Sequence, residues 1–90
     1  MALDRSATFL IADVFNVAGK GIVAVGTVNS GVISLGMLGN VGGIRVKVLK
    51  IEMFHSDKLS LIEKGQRCGL LLEGLTKKED IRKGQPINFE

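Results

Sequence analysis

Tryptophan and tyrosine are absent from the 90 residues, phenylalanine occurs four times, and there is one proline, one cysteine and one histidine. Each shortage removes a class of function. Without Trp or Tyr there is little from which to build a platform that stacks successive bases, so any nucleic-acid binding should be phosphate-led and salt-sensitive. The lone Cys68 cannot close an internal disulfide or a cysteine zinc cluster, and nothing calls for an oxidising compartment. His55 with Asp57 is no metal site, so no metal is expected. Cys68 and His55 form the one nucleophile and base pair on offer, but activation needs contact and an orienting third group. Cys68 reads as a small core residue and His55 as a loop or strand-end residue. A Ser60, His55 and Asp57 triad is ruled out by its confinement to one short loop. No apolar run approaches the ~20 residues that span a bilayer. The start, Met1-Ala2-Leu3-Asp4-Arg5-Ser6, sets an acid beside its only base with no long apolar region after it, unlike a signal peptide. A cytoplasmic protein without membrane association is the expectation, with no catalytic residues and no cofactor.

What the chain has is aliphatic residues and glycine. Hydrophobic residues make up 46% and glycine occurs twelve times, which suits a small β protein with a Val, Ile and Leu interior and many turns. Gly19-Lys20-Gly21 predicts a tight turn, Ile22 to Val28 a strand, Asn29-Ser30-Gly31 a second turn and Val32-Ile33 a short return strand. Before this unit, Thr8 to Phe15 is apolar on both parities, as in a central strand, with Asp13 either a locally satisfied carboxylate or part of a site. After it, Met37 to Gly43 reads as a loop. The long strand from Ile44 to Phe54 must change phase, because Ile44, Val46 and Val48 share one parity while Ile51 and Met53 share the other. A β-bulge near Leu49 or Lys50 follows, leaving Arg45, Lys47, Lys50 and Glu52 outward. His55 to Gly65 reads as a crossing loop with one irregular helical turn, and Arg67 to Leu75 as a strand. Thr76 to Gly84 reads as a charged connection with a short helical turn begun by Thr76, and Gln85 to Glu90 as an edge strand that tolerates its proline. Five or six short strands with glycine turns predict an all-β fold, a small closed antiparallel barrel, with a sandwich as the alternative. The whole of 1–90 is expected to be one domain, with 1–7 a flexible start.

The net charge is +3 and the pI about 9.3, which permits an RNA or acidic partner without requiring one. Arg45, Lys47 and Lys50 can form an outward stripe with Lys20, while Lys77, Lys78, Arg82 and Lys83 form a second cluster. The alternative is a solvated barrel surface.

Several ordered motifs carry a family resemblance over residues 8 to 90. Asp13-Val14-Phe15, Gly19-Lys20-Gly21, Val25-Gly26-Thr27-Val28, Ser30-Gly31-Val32-Ile33 and Leu35-Gly36-Met37 resemble the second domain of elongation factor Tu and related translational GTPases. Ile51 to His55, Gly65 with Cys68-Gly69, Gly74-Leu75, Asp80-Ile81 and Gly84-Gln85 extend the match. The resemblance implies a stand-alone translation-factor barrel, with ribosomal RNA, tRNA or a separate translational GTPase as partners. It implies a pocket at Asp13, Phe15, Glu52, Phe54 and His55. At the two positions resembling the family's contacts to the aminoacyl group, an Arg and an Asn, this chain has His55 and Arg67. Its usual Gly-Arg-Val is Gly26-Thr27-Val28. No Gly-x-x-x-x-Gly-Lys-Ser/Thr phosphate loop is present, so GTP hydrolysis is not expected. Thr76-Lys77-Lys78-Glu79-Asp80 is only superficially like a guanine-reading motif, having Glu79 at the acid's spacing. The expected function is a non-enzymatic module binding structured RNA or a ribosomal ribonucleoprotein. The alternative is a protein-interaction module that docks on a GTPase or self-associates.

Overall fold

The structure is a computed structural model and describes residues 6–53 and 56–90. Strands β1 (Ala7–Val17), β2 (Gly21–Ser30), β3 (Val32–Ser34), β4 (Leu38–Val41), β5 (Ile44–Met53), β6 (Ser56–Leu59), β7 (Leu61–Glu63), β8 (Arg67–Glu73) and β9 (Pro86–Phe89) are joined by turns and one 3-10 turn, Lys78–Asp80. Six of them run in the order β4-β9-β1-β2-β8-β5, and β5 pairs back onto β4. The result is a closed six-stranded antiparallel barrel. Closure leaves these six without a continuous open edge, which is why so short a chain can carry this much strand. The sandwich alternative falls away.

Alternation explains the core. Phe9 and Ile11 of β1, Ile22, Ala24 and Val28 of β2, Val46 and Val48 of β5, Leu70 and Leu72 of β8, and Ile87 and Phe89 of β9 are buried inside. Each fully buried large side chain contributes roughly 1.5–3 kcal/mol relative to its exposed state. The phase change in β5 is where the sequence puts it. The β5–β8 register slips between Val48 and Lys50, and Leu49 is left exposed. A second slip, between Ile11 and Asp13 in the β1–β2 pairing, turns Asp13 outward beside Val25.

Other expectations are corrected. Val32–Ser34 does not return along β2. It pairs with β7 as a separate ribbon, and its Ile33 and Ile62 are buried in the barrel's own core. Residues 61–63 therefore form a strand where a helical turn was expected at Leu59 to Ile62, because burying Ile62 opposite Ile33 outweighs a three-residue spacing. Residues 56–59 are likewise a strand, β6, paired with β5. Leu38–Val41 is a barrel strand within the expected loop, with Val41 buried and only Gly42 and Gly43 left as the turn. Pro86–Phe89 is no edge strand, since it pairs with β1 on one side and β4 on the other. Its proline is accommodated because Pro86 is the first residue and β4 reaches only Asn88 and Phe89. The 3-10 turn is preceded by Lys77, whose N–H donates to Asp80 Oδ2 at 3.3 Å, so Thr76 does not begin it. Ala7, assigned to the flexible start, is a buried strand residue.

Candidate functional site

The outer face of β1, β2, β8 and β5 carries the residues implied by resemblance. Asp13 stands opposite Val25, Val25 opposite Gly69, and Gly69 opposite Glu52. The next row is Phe15, Val23, Leu71 and Lys50. The barrel thus brings Asp13, Phe15 and Glu52 onto one surface, although 39 positions separate the first from the last. Phe54 and His55 lie outside the described residues. Because Gly69 has no side chain, a hollow of about 230 Å³ opens between Val25, Glu52, Met53, Arg67 and Cys68. A Cβ at Gly69 would come within 3.3 Å of Val23.

Two charged groups flank this hollow. Glu52 Oε1 is buried, accepts no hydrogen bond among the described residues, and lies 3.7 Å from Lys20 Nζ. That separation is a Coulombic contact across partial solvent and is too long for a hydrogen bond. Arg67, exposed, makes no ion pair among the described residues. The arrangement offers one acceptor and one forked donor on either side of an apolar floor. Cys68 borders the same hollow, but burial pushes its thiol up to about 11, so it is protonated and a poor nucleophile near neutrality.

Asp13 satisfies its own backbone. Val14 N–H donates to its Oδ1 at 2.9 Å, and Lys83 Nζ lies 3.6 Å away. Lys83 belongs to the 76–85 crossover, where Gly42, Glu79, Asp80, Arg82, Lys83, Gly84 and Gln85 line an open depression of about 500 Å³. The acid pair Glu79 and Asp80 sits between the basic pairs there, so the cluster of Lys77, Lys78, Arg82 and Lys83 is electrostatically mixed. The stripe expected from Arg45, Lys47, Lys50 and Lys20 is divided by the bulge. Arg45 and Lys47 stand beside β4, Lys50 beside Leu71 of β8, and Lys20 is held at Glu52. Among the described residues no group of three or more His, Cys, Asp or Glu could hold a metal ion, and no helix is long and apolar enough to cross a membrane.

Two further surfaces were not singled out by sequence reasoning. One is the polar row Arg45, Asn40, Asn88 and Thr8 across β5, β4, β9 and β1. Its Asn40 was hidden by reading β4 as a loop. The other is aliphatic. Leu35 N–H donates to Ser60 O at 3.1 Å, and Gly36 N–H to Val48 O at 2.8 Å, which places Leu35 between the strands bearing Leu49 and Leu61. Val32, Leu35, Leu49 and Leu61 are 42% to 47% exposed.

No protein-family model matches the sequence. Among solved structures, the chain is similar to translation elongation factor SelB from Methanococcus maripaludis in its apo form, with a TM-score of 0.82 and 23% identity. The match covers 94% of this chain and 18% of that one, so the chain spans less than a fifth of the protein it matches. The fold implied by the resemblance to translational GTPases is the fold observed.

Proposed function

We propose that this barrel is a non-enzymatic, translation-factor-like module that binds structured RNA or a ribosomal ribonucleoprotein in the cytoplasm. The observation that carries the reading is the superposition on a translation elongation factor over nearly the whole chain. The charge distribution supports it. Arg45, Lys47, Arg67, Lys77, Lys78 and Arg82 make no ion pair among the described residues, so their charge is available to phosphates. The hollow at Glu52 and Arg67 is a candidate seat for a nucleotide end, with ribosomal RNA and tRNA as the partners to try.

Salt-titrated binding to ribosomal particles and to tRNA tests the reading. Affinity should fall steeply and linearly in log–log form as salt rises. Affinity no better than that of an unrelated protein of equal charge, even at low ionic strength, overturns it.

A second reading is favoured by the aliphatic surface at Val32, Leu35, Leu49 and Leu61. Exposed aliphatic side chains clustered on one surface are the kind of feature that marks a protein contact when the patch is contiguous. The barrel would then dock on a separate GTPase or on itself. Sedimentation over a range of concentrations, and a pulldown with and without ribonuclease, separate this reading from the first.

A further inference from the structure

The outer face of β4, β5 and β9 holds an open groove of about 520 Å³, lined by Leu38, Gly39, Asn40, Arg45, Asn88 and Glu90. Strand pairing sets its side chains in two rows. Arg45, Asn40, Asn88 and Thr8 stand side by side in the first. Lys47, Leu38 and Glu90 form the second, since Leu38 and Glu90 exchange backbone hydrogen bonds of 2.9 and 2.8 Å.

The chemistry of the first row is that of a donor array. Thr8 Oγ1 donates to Asn88 Oδ1 at 3.0 Å. That bond occupies the carboxamide oxygen and leaves the NH₂ group of Asn88, which lines the groove, without a partner among the described residues. Asn40 and Arg45 make no side-chain hydrogen bond or ion pair among the described residues. Arg45 remains unpaired although the Glu90 carboxylate lines the same groove. The second row adds an ammonium and one strong acceptor. The rows are two residues apart on each strand, about 7 Å, a distance that one nucleotide of backbone spans.

We propose that this groove seats the ribose–phosphate backbone of RNA. Arg45, Asn40 and Asn88 donate to one phosphate, Lys47 lies beside the next, and Glu90 accepts from a ribose 2′-hydroxyl. The proposal rests on the RNA-binding reading above and adds which surface takes the backbone and why RNA is preferred to DNA. Other basic sites are poorer. Lys20 and Lys83 already face carboxylates, and Lys77, Lys78 and Arg82 are interleaved with Glu79 and Asp80. The groove's donors instead stand on three adjacent paired strands, β5, β4 and β9, which fixes their spacing before a ligand arrives.

The test uses the whole chain, isotopically labelled, with an RNA hairpin and a DNA hairpin of the same sequence at low salt. The RNA hairpin should shift the side-chain NH₂ signals of Asn40 and Asn88 and the backbone signals of 38–40 and 88–90. Arg45→Gln should weaken RNA binding about fivefold to tenfold and lower the log–log salt slope by about one. Glu90→Gln should narrow the ratio of RNA to DNA affinity, and Lys64→Gln, at an exposed lysine between β7 and β8, should change affinity by less than about twofold. Binding that shifts only 76–84, or only the Lys20 turn and the Glu52 hollow, overturns the groove and leaves the RNA-binding reading standing. No binding to this hairpin, to ribosomal particles or to tRNA overturns both.

Discussion

Gly26 shows how one position can be closed to every other residue. It lies mid-strand in β2, and a Cβ there would overlap the Leu10 carbonyl oxygen and come within 3.0 Å of the Phe9 ring. Neither neighbour can retreat, because one is backbone and the other is wholly buried. Gly26→Ala should therefore cost about 3 kcal/mol or more, read as a fall in the denaturant midpoint. Gly36→Ala is the contrast, as its positive φ of 87° is strained but nothing lies within 4 Å of the added atom. Its cost should be about 1 kcal/mol. Cys68 gives a residue-scale prediction in pH. Its thiol titrates near 9.0 in an ordinary setting and at about 11 here because burial disfavours the thiolate. As pH rises through 9 the unfolded chain releases this proton while the folded chain keeps it. Stability should fall by up to about 1.4 kcal/mol per pH unit until about 11. The measurement is the difference in pH dependence between the wild-type chain and Cys68→Ala. An unchanged difference between pH 8 and pH 11 contradicts the assignment.

At the scale of elements, the bulge in β5 lets one strand serve two surroundings. Val46 and Val48 point inward ahead of it and Ile51 behind it, with Leu49 as the extra residue. Were Leu49 paired as an ordinary strand residue, Lys50 and Glu52 would turn toward the core and Ile51 toward solvent. Deletion of Leu49 removes the bulge yet keeps Val48 and Ile51 inward, so cooperative unfolding should persist at a cost of about 1–3 kcal/mol for the altered bend, whereas Leu49→Lys, at an exposed position, should stay within about 0.5 kcal/mol of the wild-type chain. The β3–β7 ribbon makes the complementary case. Ile33 and Ile62 face each other across it and are both buried. Ile33→Ala and Ile62→Ala should each cost about 2–4 kcal/mol. The double variant should cost less than the sum by at least 0.5 kcal/mol, since contacting residues share their packing.

For the whole molecule, the barrel carries two surfaces of different character: the β4–β5–β9 face, whose Arg45 and Lys47 make no ion pair among the described residues, and an aliphatic patch at Val32, Leu35, Leu49 and Leu61. The two readings of function divide along that line. Leu35→Glu should leave the melting temperature within about 3 °C, because the side chain is nearly half exposed. If the chain self-associates through this patch, the same change should shift it to monomer in sedimentation. If RNA binds at the β4–β5–β9 groove, that binding should survive Leu35→Glu with an unchanged salt slope. Loss of RNA affinity in that variant would place the two functions on one surface.

Alternation, the glycine turns and the parity switch in 44–53 were enough to specify an all-β chain, most of its strands and the bulge at Leu49, because those features depend on neighbours a few residues apart. The ordered motifs extended that to the barrel type. Pairing depended on more. Whether 32–34 meets β2 or β7, whether 38–41 is loop or strand, and whether 86–89 is edge or interior are decided by which buried residues meet across the closed barrel. A three- or four-residue strand has too few alternations to announce itself. The candidate sites follow the same rule. Single cations and carboxylates were visible as letters, but the row from Asp13 to Glu52 across four strands, and that of Arg45, Asn40 and Asn88 across three, exist only because those strands lie side by side. Closure, a property of the whole chain, sets which distant residues share a face.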